Sequence, residues 1–143
     1  MTDARRLLML AGSLSLAVAV FQAAVCFSVP ASRYFGAPEE LLADQSLLII
    51  AGLVMAVVFA LCGLYAFSGA GRLRHLPLLR LGLAGIGGMY TLRGIALFPE
   101  LLVLLGYVQS PMLPPTQELV SSAVSLGIGV LYLVGTIGNW RNL

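Results

Sequence analysis

Charge is scarce in this sequence, since Asp, Glu, Lys and Arg make up only 10% of its 143 residues, against roughly a quarter in a soluble domain. Lysine is missing altogether, so all eight basic residues are arginines. Eight arginines set against six acids cannot build a nucleic-acid face on so apolar a chain, and nucleic acid is excluded as an expected partner. The two cysteines, Cys26 and Cys62, fall in different apolar runs and form no CxxC, so neither a redox dithiol nor a zinc site is expected. They read as small buried residues. The single histidine, His75, has no second ligand nearby and argues against haem or metal binding. Paired carboxylates, a Ser-His-Asp grouping, HExxH, a P-loop and a dinucleotide fingerprint are all missing. No acid occupies the interior of an apolar run, which leaves a proton relay of the Asp/Glu kind without a carrier. No cofactor is expected.

What the chain does have is hydrophobicity: 59% apolar residues and a mean hydropathy of +0.98. It reads as an integral membrane protein, one all-α transmembrane domain covering residues 1–143, because no stretch between the apolar runs could fold into a soluble catalytic domain. At about 20 residues per crossing there is room for four helices. The first run, Leu7–Val29, follows Arg5 and Arg6 and stops at Pro30, which cannot continue a helical ladder. It is far longer than the 7–15-residue core of a signal peptide and is expected to be an uncleaved anchor. Ser46–Ser68 is the second and ends in Gly69-Ala70-Gly71. The third, Leu76–Phe98, carries Arg80 and Arg93, with Pro77 suited to a first helical turn. The fourth is Leu119–Trp140.

Leu101–Val108 is apolar but too short to span. An unbroken helix from Leu76 to Val108 would reach about 50 Å, well over a hydrocarbon core of roughly 30 Å. A kink at Pro99 is therefore expected, then a short interfacial helix and a turn at Pro111, Pro114 and Pro115. Arg5, Arg6, Arg72, Arg74, Arg80 and Arg141 lie at the ends and in the second loop, while the first and third loops carry only Arg33. This bias predicts an up-down bundle with both termini cytoplasmic. Trp140 would sit at the inner interface, and Tyr34, Phe35 and Tyr107 at the outer one. The Arg72-Leu73-Arg74-His75 cluster would rest on anionic inner-leaflet lipid.

Helix packing in lipid depends on small residues and a few polar contacts. Ala11, Ser15, Ala19 and Ala23 form one stripe; Gly52, Ala56 and Ala60 form another. Gly82, Gly85 and Gly88 mark the third helix, and Ser121, Ser125 and Gly129 the fourth. These faces serve packing within the bundle or, as on the third helix, contact with a second copy. Tyr34-Phe35-Gly36-Ala37-Pro38-Glu39-Glu40-Leu41-Leu42 is echoed by Leu97-Phe98-Pro99-Glu100-Leu101-Leu102. Capped amphipathic turns explain the echo, as does duplication of a two-helix half. Either way, short helices are expected in the outer loops.

Arg93 is the residue singled out, because a charge inside a span is costly unless it faces the bundle, snorkels or finds a partner. Counted from the cytoplasmic side, Arg93 and Gln22 share a depth of about 22–26 Å. Tyr90 and Thr91 lie near on the same helix, Ser121, Ser122 and Ser125 enter from the fourth, and Asp44, Gln45, Glu100 and Glu118 lie just above. Two readings stand side by side. Arg93 pairs with Asp44, Glu100 or Glu118 and locks the helix ends or snorkels to outer-leaflet phosphates, or it holds the anionic head group of a lipid-like ligand, to which planar Arg is suited.

The first span with its Tyr34-Phe35-Gly36-Ala37-Pro38 turn, Arg93-Gly94 near the end of the third, and Gly127, Gly129 and Tyr132 in the fourth resemble the DoxX-like four-helix bacterial inner-membrane proteins. The resemblance implies a compact up-down bundle in a bacterial inner membrane and transfers no catalytic residue. The expected function is a binding or accessory protein whose outward polar pocket comprises Arg93, Gln22, Tyr90, Asp44, Glu118 and Ser125. Its partners would be membrane lipid, a second copy or another membrane protein. The alternative is a small oligomeric membrane enzyme or transporter subunit.

Overall fold

The computed structural model describes residues 3–35, 37–109 and 116–143. Among the described residues the chain is helical, with no strand. Its elements are α1 (Asp3–Val25), α2 (Val29–Tyr34), α3 (Glu39–Leu42), α4 (Gln45–Gly69), α5 (Leu79–Ile95), α6 (Leu97–Leu104) and α7 (Thr116–Gly138), followed by a 3-10 turn at Trp140–Asn142. Four helical stretches are long and apolar enough to cross a membrane: α1, α4, the run Leu79–Leu104 and α7. Gly36 and the turn expected at Pro111, Pro114 and Pro115 lie outside the described residues.

Three expected boundaries move, each for a local reason. The first helix ends at Val25 rather than Val29, and Pro30 begins α2 instead of terminating α1. In a first turn the missing proline N–H costs nothing. Ser28 caps the new helix by accepting from the Ala31 amide (3.4 Å), and the Ser32 hydroxyl donates back to the Val25 carbonyl at 2.9 Å. The third long helix starts at Leu79, not Leu76, so Pro77 falls outside it. There the Leu76 amide donates to the Ser68 hydroxyl at 3.2 Å, and Leu78 takes a left-handed φ of 54°. Finally, the break expected at Pro99 comes one turn earlier, at Ala96. Pro99 has no N–H to offer the Ile95 carbonyl and its ring crowds that group, so the ladder fails upstream of the proline itself.

Small residues set the helix contacts. Gly12 of α1 lies against Gly63 and Ala66 late in α4, whereas Cys26 just past α1 meets Gly52 early in it. Ala11, Ser15, Ala19, Gly52 and Ala56 of the expected stripes are buried. On α5 the buried face is Leu83, Gly87, Tyr90 and Gly94, spaced to stack along one side of a helix. A methyl at Gly94 would come within 2.5 Å of Leu126 Cα, and one at Gly129 within 2.6 Å of the Thr91 nitrogen. The backbones of α5 and α7 therefore meet directly. The stripe of Gly82, Gly85 and Gly88 is not this interface: Gly82 faces Tyr65, while Gly85 and Gly88 meet nothing within 4 Å. On α7, Ser122 rather than Ser121 is buried. Leu8, Ala66, Leu83, Ile128 and Tyr132 form the heart of the core, and large apolar side chains such as Ile50, Val54, Val57 and Leu61 of α4 remain on the outside.

Candidate functional site

Arg93 stands on the last turn of α5 and reaches across to α7. Its Nη1 donates to the Ser122 hydroxyl at 2.8 Å, and that hydroxyl lies 3.3 Å from Glu100 Oε1, to which it donates in turn. Ser122 is completely buried, so its position is set by the packed α5–α7 interface rather than by solvent. Past the break at Ala96, Glu100 in the first turn of α6 reaches the same hydroxyl. No ion pair within 4.0 Å joins Arg93 to an acid among the described residues. A neutral hydroxyl thus links guanidinium and carboxylate. Glu100 Oε2 is buried without a hydrogen-bond partner among the described residues.

The other sequence-derived candidates do not gather around Arg93. Asp44 caps α4, its Oδ1 accepting from the amides of Ser46 (2.9 Å) and Leu47 (3.4 Å). This is what an Asp at that position does best, since the first helical amides have no partner of their own. Glu118 is exposed in the first turn of α7, and Ser125 is half-buried with no hydrogen bond among the described residues. Gln22 lines a separate hollow of about 200 Å³ between α1, the α2–α3 segment and α4, together with Cys26, Phe35, Pro38 and Met55. Arg93 does not border it.

Tyr90 belongs to a different group at the centre of the bundle. Its hydroxyl is 3.3 Å from Ser15 Oγ, which is 2.9 Å from the Tyr132 hydroxyl; Tyr132 donates to the Cys62 carbonyl at 2.8 Å. The two tyrosine rings stack with centroids 5.7 Å apart and an interplanar angle of 11°. One hydrogen-bonded chain therefore touches all four long helices.

Ser122 and Tyr132 are the residues whose roles were not foreseen. Tyr132 carried a usable signal, because a phenol in an otherwise apolar span needs a partner for its hydroxyl. Ser122 carried none: its neighbours Ser121 and Ser125 are chemically identical, and only the rotation of α7 distinguishes them. Comparison with protein-family models, with curated proteins and with solved structures finds no match.

The chemistry open to the Arg93 group is recognition. A hydroxyl fixes one Nη, a buried carboxylate stands behind it, and the remaining guanidinium donors have no partner among the described residues.

Proposed function

We propose that this chain is an up-down, four-helix integral membrane protein with cytoplasmic termini, which binds an anionic, lipid-like ligand through Arg93. The antiparallel meeting of neighbouring long helices and the apolar exterior of α4 support the bundle and its insertion. Such a surface would be unstable in water over this extent. The arginine distribution supports the orientation. Kinship with the DoxX-like bundles is part of the same proposal and would put the protein in a bacterial inner membrane.

One observation carries the binding role: Arg93 is exposed, is oriented by Ser122, and has no ion pair among the described residues. An arginine serving only to lock helices together would sit in direct contact with a carboxylate. Here the hydroxyl takes one donor and leaves the others for a phosphate or carboxylate arriving at the outer interface. Glu100 tunes the site, keeping the guanidinium in place without consuming it. The protein then acts as a binding or accessory component of the membrane.

The test is native mass spectrometry of detergent-purified protein titrated with phosphatidylglycerol. Arg93→Ala should lose one retained lipid, and Arg93→Lys should retain it more weakly, because a bidentate fork is replaced by a point charge. Unchanged retention in Arg93→Ala, with unchanged thermal stability, would remove the proposal. A collapse of stability with lipid count intact would assign Arg93 to helix locking instead.

A further inference from the structure

The opposite end of α5 carries a second arginine in a different setting. Arg80 borders a hollow of about 340 Å³ whose rim also holds His75 and whose wall is built from leucines, among them Leu78, Leu81 and Leu143. The guanidinium is fixed from two sides. Its Nε donates to the Leu143 carbonyl at 3.0 Å, and its Cζ lies 5.6 Å from the centre of the Trp140 ring. Its two Nη groups have no partner among the described residues.

The loop leading into this hollow is also held. Ser68 at the end of α4 donates to the Arg74 carbonyl at 2.8 Å and accepts from the Leu76 amide, so His75 is fixed between two tethered neighbours. Basic side chains gather here. Arg72 and Arg74 are exposed in the same loop and Arg141 in the 3-10 turn, and no Asp or Glu side chain lines the hollow. The acid at this end of the bundle, Asp3, lies beside Arg6 at 3.8 Å.

Next to this cationic rim the surface turns apolar at once. Leu78 and Leu81 are 75% and 68% exposed. From Leu81 the same side of α5 continues through Gly85 and Gly88, where nothing approaches within 4 Å, to Leu92. The missing side chains leave open space against the helix between Leu81 and Leu92, a channel only in that no side chain fills it.

We infer that this end of the protein is a binding site for one anionic phospholipid, with its phosphate between Arg80 and His75 and an acyl chain along the Leu81–Gly85–Gly88 channel. A soluble anion would use the rim and leave the channel empty; a second helix would use the channel and leave the arginine unengaged. A phospholipid fits both parts. The inference rests on the membrane-spanning reading but not on the Arg93 site, which lies about 20 Å away along α5.

Native mass spectrometry can separate the two sites by counting. Titrated with phosphatidylglycerol, Arg80→Gln should retain one lipid fewer than wild-type protein, with the loss independent of that caused by Arg93→Ala. Arg80→Lys should keep the second lipid at several-fold weaker retention, which also guards against a folding artefact. Gly85→Leu should displace the phosphatidylglycerol retained at Arg80 by filling the channel. Arg6→Gln, which removes a charge at the same end outside the hollow, should leave the count unchanged. The inference is overturned if Arg80→Gln retains the same count as wild type, even where Arg93→Ala loses a lipid. It is equally overturned if glycerol 3-phosphate competes as well as the intact lipid, which would mean a soluble-anion site. A dimer mass that Gly85→Leu abolishes while the lipid count stays fixed would assign the channel to a second copy.

Discussion

The Ser15 hydroxyl of α1 sits 2.9 Å from the Tyr132 hydroxyl of α7, and the direction of that bond is fixed by what lies beyond it. The Cys62 carbonyl can only accept, so Tyr132 must donate to it, and the Tyr132 oxygen is left to accept from Ser15. With its proton engaged, Ser15 accepts from Tyr90. The chain runs one way, from α5 through α1 and α7 to α4, and its order is imposed by its terminal carbonyl. A cross-helix network of this kind specifies register in a setting where apolar burial discriminates poorly between rotations.

Removing the middle of that chain should be measurable. Tyr132→Phe deletes two hydrogen bonds and is expected to lower stability by about 0.6–1.7 kcal/mol, the range found for such bonds in membrane helices. Ser15→Ala should cost a similar amount. The double variant should lose less than the sum, since both changes interrupt one network. Thermal unfolding in detergent reads all three, and strict additivity would mean that the hydroxyls do not act together.

The α5–α7 interface should tolerate no added methyl. Gly94→Ala and Gly129→Ala each drive a Cβ into facing backbone and are expected to destabilise by about 1–3 kcal/mol. Gly88→Ala, which meets open space, should leave the unfolding midpoint unchanged. Equal effects at all three positions would contradict the rotation of α5 described above.

Ser122 should act on ligand retention through Arg93. Ser122→Ala removes the hydroxyl that joins Arg93 to Glu100 and frees the guanidinium to adopt other rotamers. Lipid retained at the Arg93 site should fall several-fold without the complete loss expected for Arg93→Ala. If Ser122→Ala changes only stability, the serine is a packing residue and no more.

Orientation can be tested with introduced thiols, because the native ones are hidden: Cys26 is 2% exposed and Cys62 9%. Glu40→Cys should react with a membrane-impermeant maleimide in intact cells. Arg72→Cys should react only after permeabilisation. The reverse pattern would invert the assigned topology.

The sequence by itself determined the number of long helices and the part of the chain in which each lies, because a run of some twenty apolar residues has few other ways to satisfy its backbone. Gln45–Gly69 differs from the expected second span by one residue at each end. It also determined the composition of the packing faces on α1 and α4, where small residues recur every four positions. Boundaries near proline were misread, since a proline affects the carbonyl a turn before it and is welcome in a first turn. Only the tertiary structure decided how each helix is rotated about its axis. In a helix that is apolar all round, nothing in the sequence says which side faces a neighbour, and the choice between Gly85 and Gly87, or Ser121 and Ser122, rests on contacts with another helix. That rotation is what separates Arg93 from Gln22, joins Tyr90 to Tyr132, and puts a buried serine between an arginine and a glutamate.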